Sequence, residues 1–548
     1  MKFFKLMLAA LLLWMFIACN ETIRQRDRNA VATQEVQMEE LSPASVKNTV
    51  PKIVADTKSK QGSKDEALIF PPEHNTEDYS PIVENQFLSA VKNPLSTFSI
   101  DVDDAAYSNI RRFIQGGSLP PAGAVRIEEM VNYFDYRYTH PLNDEPFAIN
   151  TEISSCPWNP EHRLLHIGLQ GKEIPTAGLP PANIVFLIDV SGSMQGYNKL
   201  PLVKASMKLL TEQLLADDKV SIVVYAGSAG LVLPTVKGSE KTIIRAAIDN
   251  LEAGGSTAGG EGIMLAYKTA REQFIKGGNN RIILATDGDF NVGTSSDDEL
   301  VTMVEEQRKS GVFLSVLGFG MGNYKDNKMQ LIADKGNGNH SYIDNISEAK
   351  KVLVNEFGST LFAIAKDVKI QIEFNPAKVS GYRLIGYENR LLADEDFNDD
   401  KKDAGELGSG HTVTALYEII PAGVKSDLLR TVDDLKYQSP VKAGISYGKD
   451  EIMTVKIRYK KPDGDISHLI SGAVMDENIS FERTSDNFRF SAAVAGFGLI
   501  LRNSEFKKSA SYSQVLELAK KAKGSDENGY RQEFINLVSA AEHLTARK

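Results

Sequence analysis

The chain has 548 residues, 42% of them hydrophobic and 24% charged, and a net charge of −10. At ~150 residues per domain that length provides for two to four domains, and the composition is that of a globular protein with ample core. The acidic balance argues against nucleic acid as the main partner, because phosphate binding needs a basic surface.

The N-terminus reads as a targeting signal. Lys2 and Lys5 precede an almost wholly apolar stretch from Leu6 to Ile17, and polar chain follows Ala18 and Cys19 at once. The stretch is too short for a comfortable membrane span. Residues 16–19 resemble a bacterial lipoprotein cleavage box. That resemblance makes 1–19 a signal peptide and Cys19 the acylated first residue of the mature protein. The alternative is a plain secretory signal in which Cys19 is incidental. Cys156 is then the remaining thiol of two, so no intramolecular disulfide can form. Its expected role is that of a small buried hydrophobe.

Residues 20–84 are rich in Gln, Glu, Lys, Ser, Thr and Pro and carry no hydrophobic period. Such a composition buries too little surface to order itself, and the segment reads as a disordered tether. An N-terminal accessory domain is expected over 85–181. It holds an alternating run from Ser96 to Asp103, a helix from Asp104 to Gln115, a second helix from Val125, and strands around Ile149–Ile153 and Leu164–Leu169. Asp101, Asp103 and Asp104 lack the glycine and terminal Glu of an EF-hand loop. A helix cap at Asp103 or Asp104 is the expected role.

The central domain, 182–365, alternates strands with amphipathic helices. Strands are predicted over Asn183–Ile188, Lys219–Tyr225, Arg281–Thr286, Val312–Phe319 and His340–Ile343. Helices are predicted over Lys199–Leu215, Gly260–Phe274, Asp297–Lys309 and Ser347–Ala363. The pattern specifies βαβ units and a doubly wound, mainly parallel α/β sheet. Beyond it, over 366–548, the period changes to two at Asp367–Phe374, His411–Ile419 and Ile452–Tyr459. Residues 393–410 read as a loop. Helices follow from Asn487 to Leu501 and, broken at Gly524–Gly529, from Gln514 to Leu544. The accessory segments on either side of the central domain are expected to pack together beside it as an α+β, sandwich-like region.

The chemistry concentrates at strand ends. The apolar run from Asn183 stops on Asp189, and Ser191 and Ser193 follow. A second buried run stops on Asp287, and a Gly-rich loop at 254–260 carries Thr257. Ligands bind at the carboxyl edge of open α/β sheets. An oxygen-only cluster suits Mg²⁺, Mn²⁺ or Ca²⁺ better than Zn²⁺. Taken singly, the acids can cap helices and the hydroxyls can close turns. The pattern Asp189-x-Ser191-x-Ser193, Thr257, Asp287 resembles the von Willebrand factor type A (VWA) domain and its metal-ion-dependent adhesion site, or MIDAS. The resemblance implies a divalent cation, Mg²⁺ foremost. Ser191, Ser193 and Thr257 would touch it, and Asp189 and Asp287 would act largely through water. One open position would accept an Asp or Glu of a partner protein. Glu261 and Asp289 could tune such a site, with surface solvation the plainer role.

The blocks Phe98–Asn109, Leu284–Gly293 and Phe490–Arg502 are similar to the bacterial YfbK-like envelope proteins, which carry a VWA domain between family-specific N- and C-terminal domains. That similarity adds architecture but little function; the MIDAS resemblance and the N-terminal signal imply a non-enzymatic role, a membrane-anchored envelope protein that binds a partner through the metal. A structural subunit of an envelope or secretion assembly is the alternative. A phosphoryl-accepting role for Asp189 is disfavoured, because Ser191 stands where a second acid is wanted. No Walker lysine follows the Gly-rich loop, and no His/Ser/Asp set stands out among eight His.

Overall fold

The computed structural model describes residues 76–175, 179–256, 259–288, 297–356, 358, 362–402, 404–429, 450–462 and 464–547. The signal segment and Cys19 lie outside them, as do Thr257 and Asp289. The described chain begins at Thr76, inside the stretch read as tether. Glu77 there pairs with Arg112 at 2.7 Å.

The N-terminal segment supplies β1 (Leu88–Ser89), β2 (Leu95–Ser99), helices α1 (Ala105–Gln115) and α2 (Ile127–Asn132), then β3 (Phe147–Cys156) and β4 (Asn159–Gly171). The central segment follows with β5 (Ala182–Asp189), α3 (Leu200–Gln213), β6 (Lys219–Tyr225), β7 (Ala229–Lys237), α4 (Lys241–Asp249), α5 (Gly259–Glu272), β8 (Asn279–Thr286), α6 (Asp297–Arg308), β9 (Phe313–Phe319), α7 (Asp326–Lys335), β10 (His340–Ile343) and α8 (Ile346–Lys350). The C-terminal segment adds β11 (Ala363–Phe374), β12 (Val379–Ile385), β13 (Leu407–Gly408), β14 (Thr412–Pro421), β15 (Glu451–Lys460), β16 (Ser467–Met475), α9 (Asp486–Leu501), α10 (Tyr512–Lys521) and α11 (Tyr530–Ala546).

The central sheet has the order β10-β9-β8-β5-β6-β7. Five strands are parallel and β7 is an antiparallel edge. β5 is buried along its whole length, and its side chains alternate between two cores. Ile184, Phe186 and Ile188 join one face, while Val185 and Leu187 join the other. That division is why the run reads as unbroken apolar sequence rather than as an alternating one.

The flanking segments build one accessory unit together, as the sequence leads one to expect. One antiparallel sheet runs β1-β12-β14-β4-β3, and a second runs β13-β11-β15-β16 with β2 also paired to β11. Strands from both sides of the central segment therefore share each sheet. A core including Phe98, Ile167, Ile370, Tyr417 and Ile457 fills the space between them. Helices α1, α2, α9, α10 and α11 pack around Trp158, Phe134, Phe490 and Phe534. Cys156 is fully buried there, and burial pushes its thiol well up.

Three expectations need correction. Asp103 does not cap α1. It is buried and accepts from the His340 amide at 2.8 Å and from Arg390 at 3.2 Å, and Asp104 precedes the helix without a side-chain cap bond. The helix predicted to reach Ala363 ends early. It opens into a π turn over Lys351–Asn355, which lets buried Lys351 approach Glu356 and Asp104. The 393–410 loop contains a 3₁₀ turn, Asp394–Asn398, and the short strand β13.

Candidate metal centre

β5 and β8 run parallel, with Ile188 beside Ala285. Asp189 and the step from Thr286 to Asp287 therefore emerge at one rim, where Tyr225 at the end of β6 lies opposite Asp189. Asp189 is fully buried. Its Oδ1 accepts from the Ser191 amide at 2.9 Å. Its Oδ2 accepts from the Tyr225 hydroxyl at 3.1 Å and the Thr286 hydroxyl at 3.3 Å. This bonding bends the chain sharply after the strand and sets the next two serines side by side. Ser191 Oγ and Ser193 Oγ lie 3.1 Å apart, and buried Met194 anchors the turn from beneath. Ser193 also donates to Asp287.

Four of the five residues chosen from the sequence are thus brought together: Asp189, Ser191, Ser193 and Asp287. Thr257 falls outside the described residues, but the loop before it lies against the serine turn. Gly254 N donates to Val190 O at 2.7 Å, and Gly192 N donates to Gly255 O at 3.0 Å. Glu261 is exposed in the first turn of α5, which fits solvation rather than tuning.

Three further residues complete the rim. Lys199 Nζ donates to Asp287 Oδ2 at 2.9 Å, and Asn323 Nδ2 donates to the same oxygen at 3.0 Å. The loop carrying Asn323 crosses directly over Gly288. A Cβ there would lie 2.7 Å from Lys325 N, and the residue has φ +93°, so only glycine fits without strain. The third residue is Glu77, which accepts from Gly322 N at 2.8 Å while Thr76 N donates to Gly322 O at 2.7 Å. The first described residues, Thr76 and Glu77, are therefore laid along the loop that steadies Asp287. A lysine at a helix start, an asparagine in a glycine-rich loop and a glutamate in a polar tract carry no motif signal.

The two acids are held in opposite senses. Burial pushes the Asp189 carboxyl up to about 6, with the charge of Asp287 adding to it, against bonds from Ser191 and Tyr225. Burial acts on Asp287 too, but the Lys199 ammonium and bonds from Asn323 and Ser193 outweigh it and hold its carboxyl below the ordinary range.

The donor set fits a hard divalent cation: hydroxyl and carboxylate oxygens with no sulfur or imidazole. Among the described residues no cluster of three or more His, Cys, Asp or Glu could hold a metal ion, so a cation at this rim would need the serine hydroxyls. The Lys199 ammonium already stands on Asp287 as a positive charge.

Family models match in three blocks. "Von Willebrand factor" covers 73–166, "von Willebrand factor type A domain" covers 183–355, and "Uncharacterized protein YfbK, C-terminal" covers 359–544. The protein YfbK of Escherichia coli (strain K12) is 46% identical over 477 residues, which is 86% of this chain and 82% of that one. The chain belongs to the YfbK family of VWA proteins. Human inter-alpha-trypsin inhibitor heavy chain H3 is 25% identical over 262 residues, 44% of this chain and 29% of that one. Among solved structures, a von Willebrand factor type A protein from Catenulispora acidiphila superposes with TM-score 0.40 and 14% identity, over 73% of this chain and 91% of its own. The mussel byssus proximal thread matrix protein 1 with a zinc-occupied MIDAS motif gives TM-score 0.27 and 24% identity, over 32% of this chain and 45% of its own.

One other polar set in this YfbK-family chain was not legible in the sequence. Ser426 Oγ lies 3.1 Å from His162 Nε2, and His162 Nδ1 lies 2.6 Å from Glu418 Oε1. The order is that of a hydrolytic triad. Glu418, however, also accepts from Trp158 at 3.1 Å and Arg383 at 3.3 Å, and Ser426 Oγ already accepts from the Leu428 amide. Burial opposes the charge on Glu418, but His162, Arg383 and Trp158 hold its carboxyl below the ordinary range. The set is a hydrogen-bonded network tying β4 to β14 and the turn after it, with Glu418 and His162 buried and Ser426 half-buried.

Proposed function

We propose that this protein binds a partner protein through a divalent cation, Mg²⁺ foremost, held at the rim by Ser191, Ser193 and Thr257, with Asp189 and Asp287 behind them. The observation that carries the reading is the meeting of Ser191, Ser193 and Asp287 at one strand edge, 3.1 Å between the two hydroxyls. When bound, the cation supplies an electrophilic position for a carboxylate. The chain's own residues shape that position. Asp189 fixes the turn, Tyr225 and Thr286 fix Asp189, and Asn323 and Lys199 fix Asp287. Both oxygens of Asp189 are engaged and the residue is fully buried. That placement supports a positioning role and disfavours a phosphoryl-accepting one.

The anchor belongs to the same proposal. Acylation at Cys19 would hold the folded part at a bacterial envelope membrane, and no helix of the described residues is long and apolar enough to cross one. The test is capture of a partner from native membranes with Mg²⁺ or with EDTA. Capture that needs Mg²⁺ and is lost in Asp189→Ala is expected. Equal capture in EDTA would remove the reading.

A further inference from the structure

Lys199 is built into the rim rather than draped over it. Its side chain is 13% exposed and that of Asp287 is fully buried. Its stem runs past two glycines. A Cβ on Gly320, which has φ +75°, would lie 2.6 Å from Lys199 Cε and 2.7 Å from Cγ, and one on Gly196 would lie 3.5 Å from Cδ. A side chain on Gly320 would displace the lysine, and Gly196 lies in contact with its stem. The ammonium so guided reaches Asp287 Oδ2 at 2.9 Å and Asn323 Oδ1 at 3.4 Å. A long, flexible, strongly hydrated cation is seldom buried without a specific partner. Here a channel delivers it to one of the two acids of the candidate metal centre.

The charge arithmetic gives this placement a consequence. Asp189 and Asp287 together would present two negative charges to a divalent cation and could neutralise it. With Lys199 on Asp287 the set presents one. A bound cation then keeps one positive charge in excess, and a carboxylate from outside satisfies it.

We propose that Lys199 is a resident counter-ion of the metal centre: it neutralises Asp287 when the cation is away and weakens the cation's hold until an anionic ligand joins. The proposal rests on the metal-binding reading above. Lys199 acts through Asp287 and is a positioning residue, not a ligand.

The experiment titrates Mn²⁺ into wild type, Lys199→Met and Lys199→Arg by calorimetry and melts each protein in EDTA. Removing one positive charge a few ångströms from a partly buried cation is expected to tighten Mn²⁺ at least ~tenfold, while Lys199→Arg stays within a few fold of wild type. In EDTA, Lys199→Met is expected to melt several degrees lower, because it removes the ammonium paired with Asp287, and the double variant Lys199→Met/Asp287→Asn is expected to recover most of the loss. Mn²⁺ affinity in Lys199→Met equal to or weaker than wild type overturns the proposal. So does a Lys199→Met melting curve in EDTA that matches wild type. A wild type that binds no Mn²⁺ overturns the metal centre and this proposal together. That outcome differs from failure of the proposal alone, in which wild type binds and Lys199→Met binds no tighter.

Discussion

Two groups of acids in this molecule, several of them buried, are treated in opposite ways. At the junction of α1 with the central unit, Arg111 is 2% exposed and is surrounded by acceptors. Asp344 meets its Nε at 2.7 Å, Glu348 its Nη2 at 2.7 Å and Glu533 its Nη1 at 2.9 Å. Nearby, Arg390 engages Asp101, Asp103 and Asp334, and Arg126 engages Asp326 and Glu129. Fixed guanidinium forks pair with these acids. At the β5–β8 rim the acids instead meet hydroxyls, amides and the ammonium of Lys199. The first arrangement welds accessory helices to the central sheet. The second gathers hydroxyl and carboxylate oxygens at one strand edge, where the cation is proposed to sit. Buried carboxylates alone therefore do not mark the site. Their pairing with convergent hydroxyls in place of arginine is what sets the candidate centre apart.

The contrast can be tested at its strongest point by truncating Arg111. Arg111→Ala leaves Asp344 and Glu348 with uncompensated charge and should cost about 3–5 kcal/mol of stability in urea unfolding. Asp189→Asn, which removes the charge but keeps a side-chain oxygen for the buried donors, should abolish metal binding at far smaller structural cost. If the two variants have the same stability, the distinction between weld and site is lost.

A second prediction concerns pH. Burial holds the His166 ring down to about 3, where it meets the Tyr138 hydroxyl at 2.9 Å. The unfolded chain takes that proton near the ordinary value of 6.5, so it binds more protons than the folded one between those limits. Stability contributed by the neutral ring is therefore lost as pH falls, at about 1.4 kcal/mol per unit below the ordinary value. Unfolding at pH 7 and pH 5 should show a smaller loss in His166→Gln than in wild type; equal losses would contradict this.

The smallest expected effect lies at the loop over Gly288. Glu77→Gln weakens the pairing with Arg112 and the hold on Gly322, and should cost about 1 kcal/mol. Amide exchange over 320–325 should quicken while the Arg111 junction stays protected. Unchanged exchange at that loop would detach the N-terminal segment from the metal rim.

Sequence alone carried the rim well and its supports poorly. Asp189, Ser191 and Ser193 are adjacent in the chain, and Asp287 ends a run that is apolar because β8 is buried on both faces. Such signals are local. Lys199 and Asn323 matter only through a distant acid, and nothing near them in the chain says so. The same holds for Glu77, whose polar neighbours read as tether although its side chain is nearly buried. Among the strands, β14 and β15 announced themselves by alternation. β16 did not, because it lies at a sheet end with Leu469 and Met475 exposed. β7 was hidden by Gly230 and Pro234, residues that suit an edge strand.

The most direct test of the central claim is anomalous diffraction from a crystal grown with Mn²⁺. The account predicts one strong peak within ~2.4 Å of Ser191 Oγ and Ser193 Oγ, with Thr257 or a water completing that side, and loss of the peak in Asp189→Ala. A crystal saturated with Mn²⁺ that shows no peak between the two serines would contradict it.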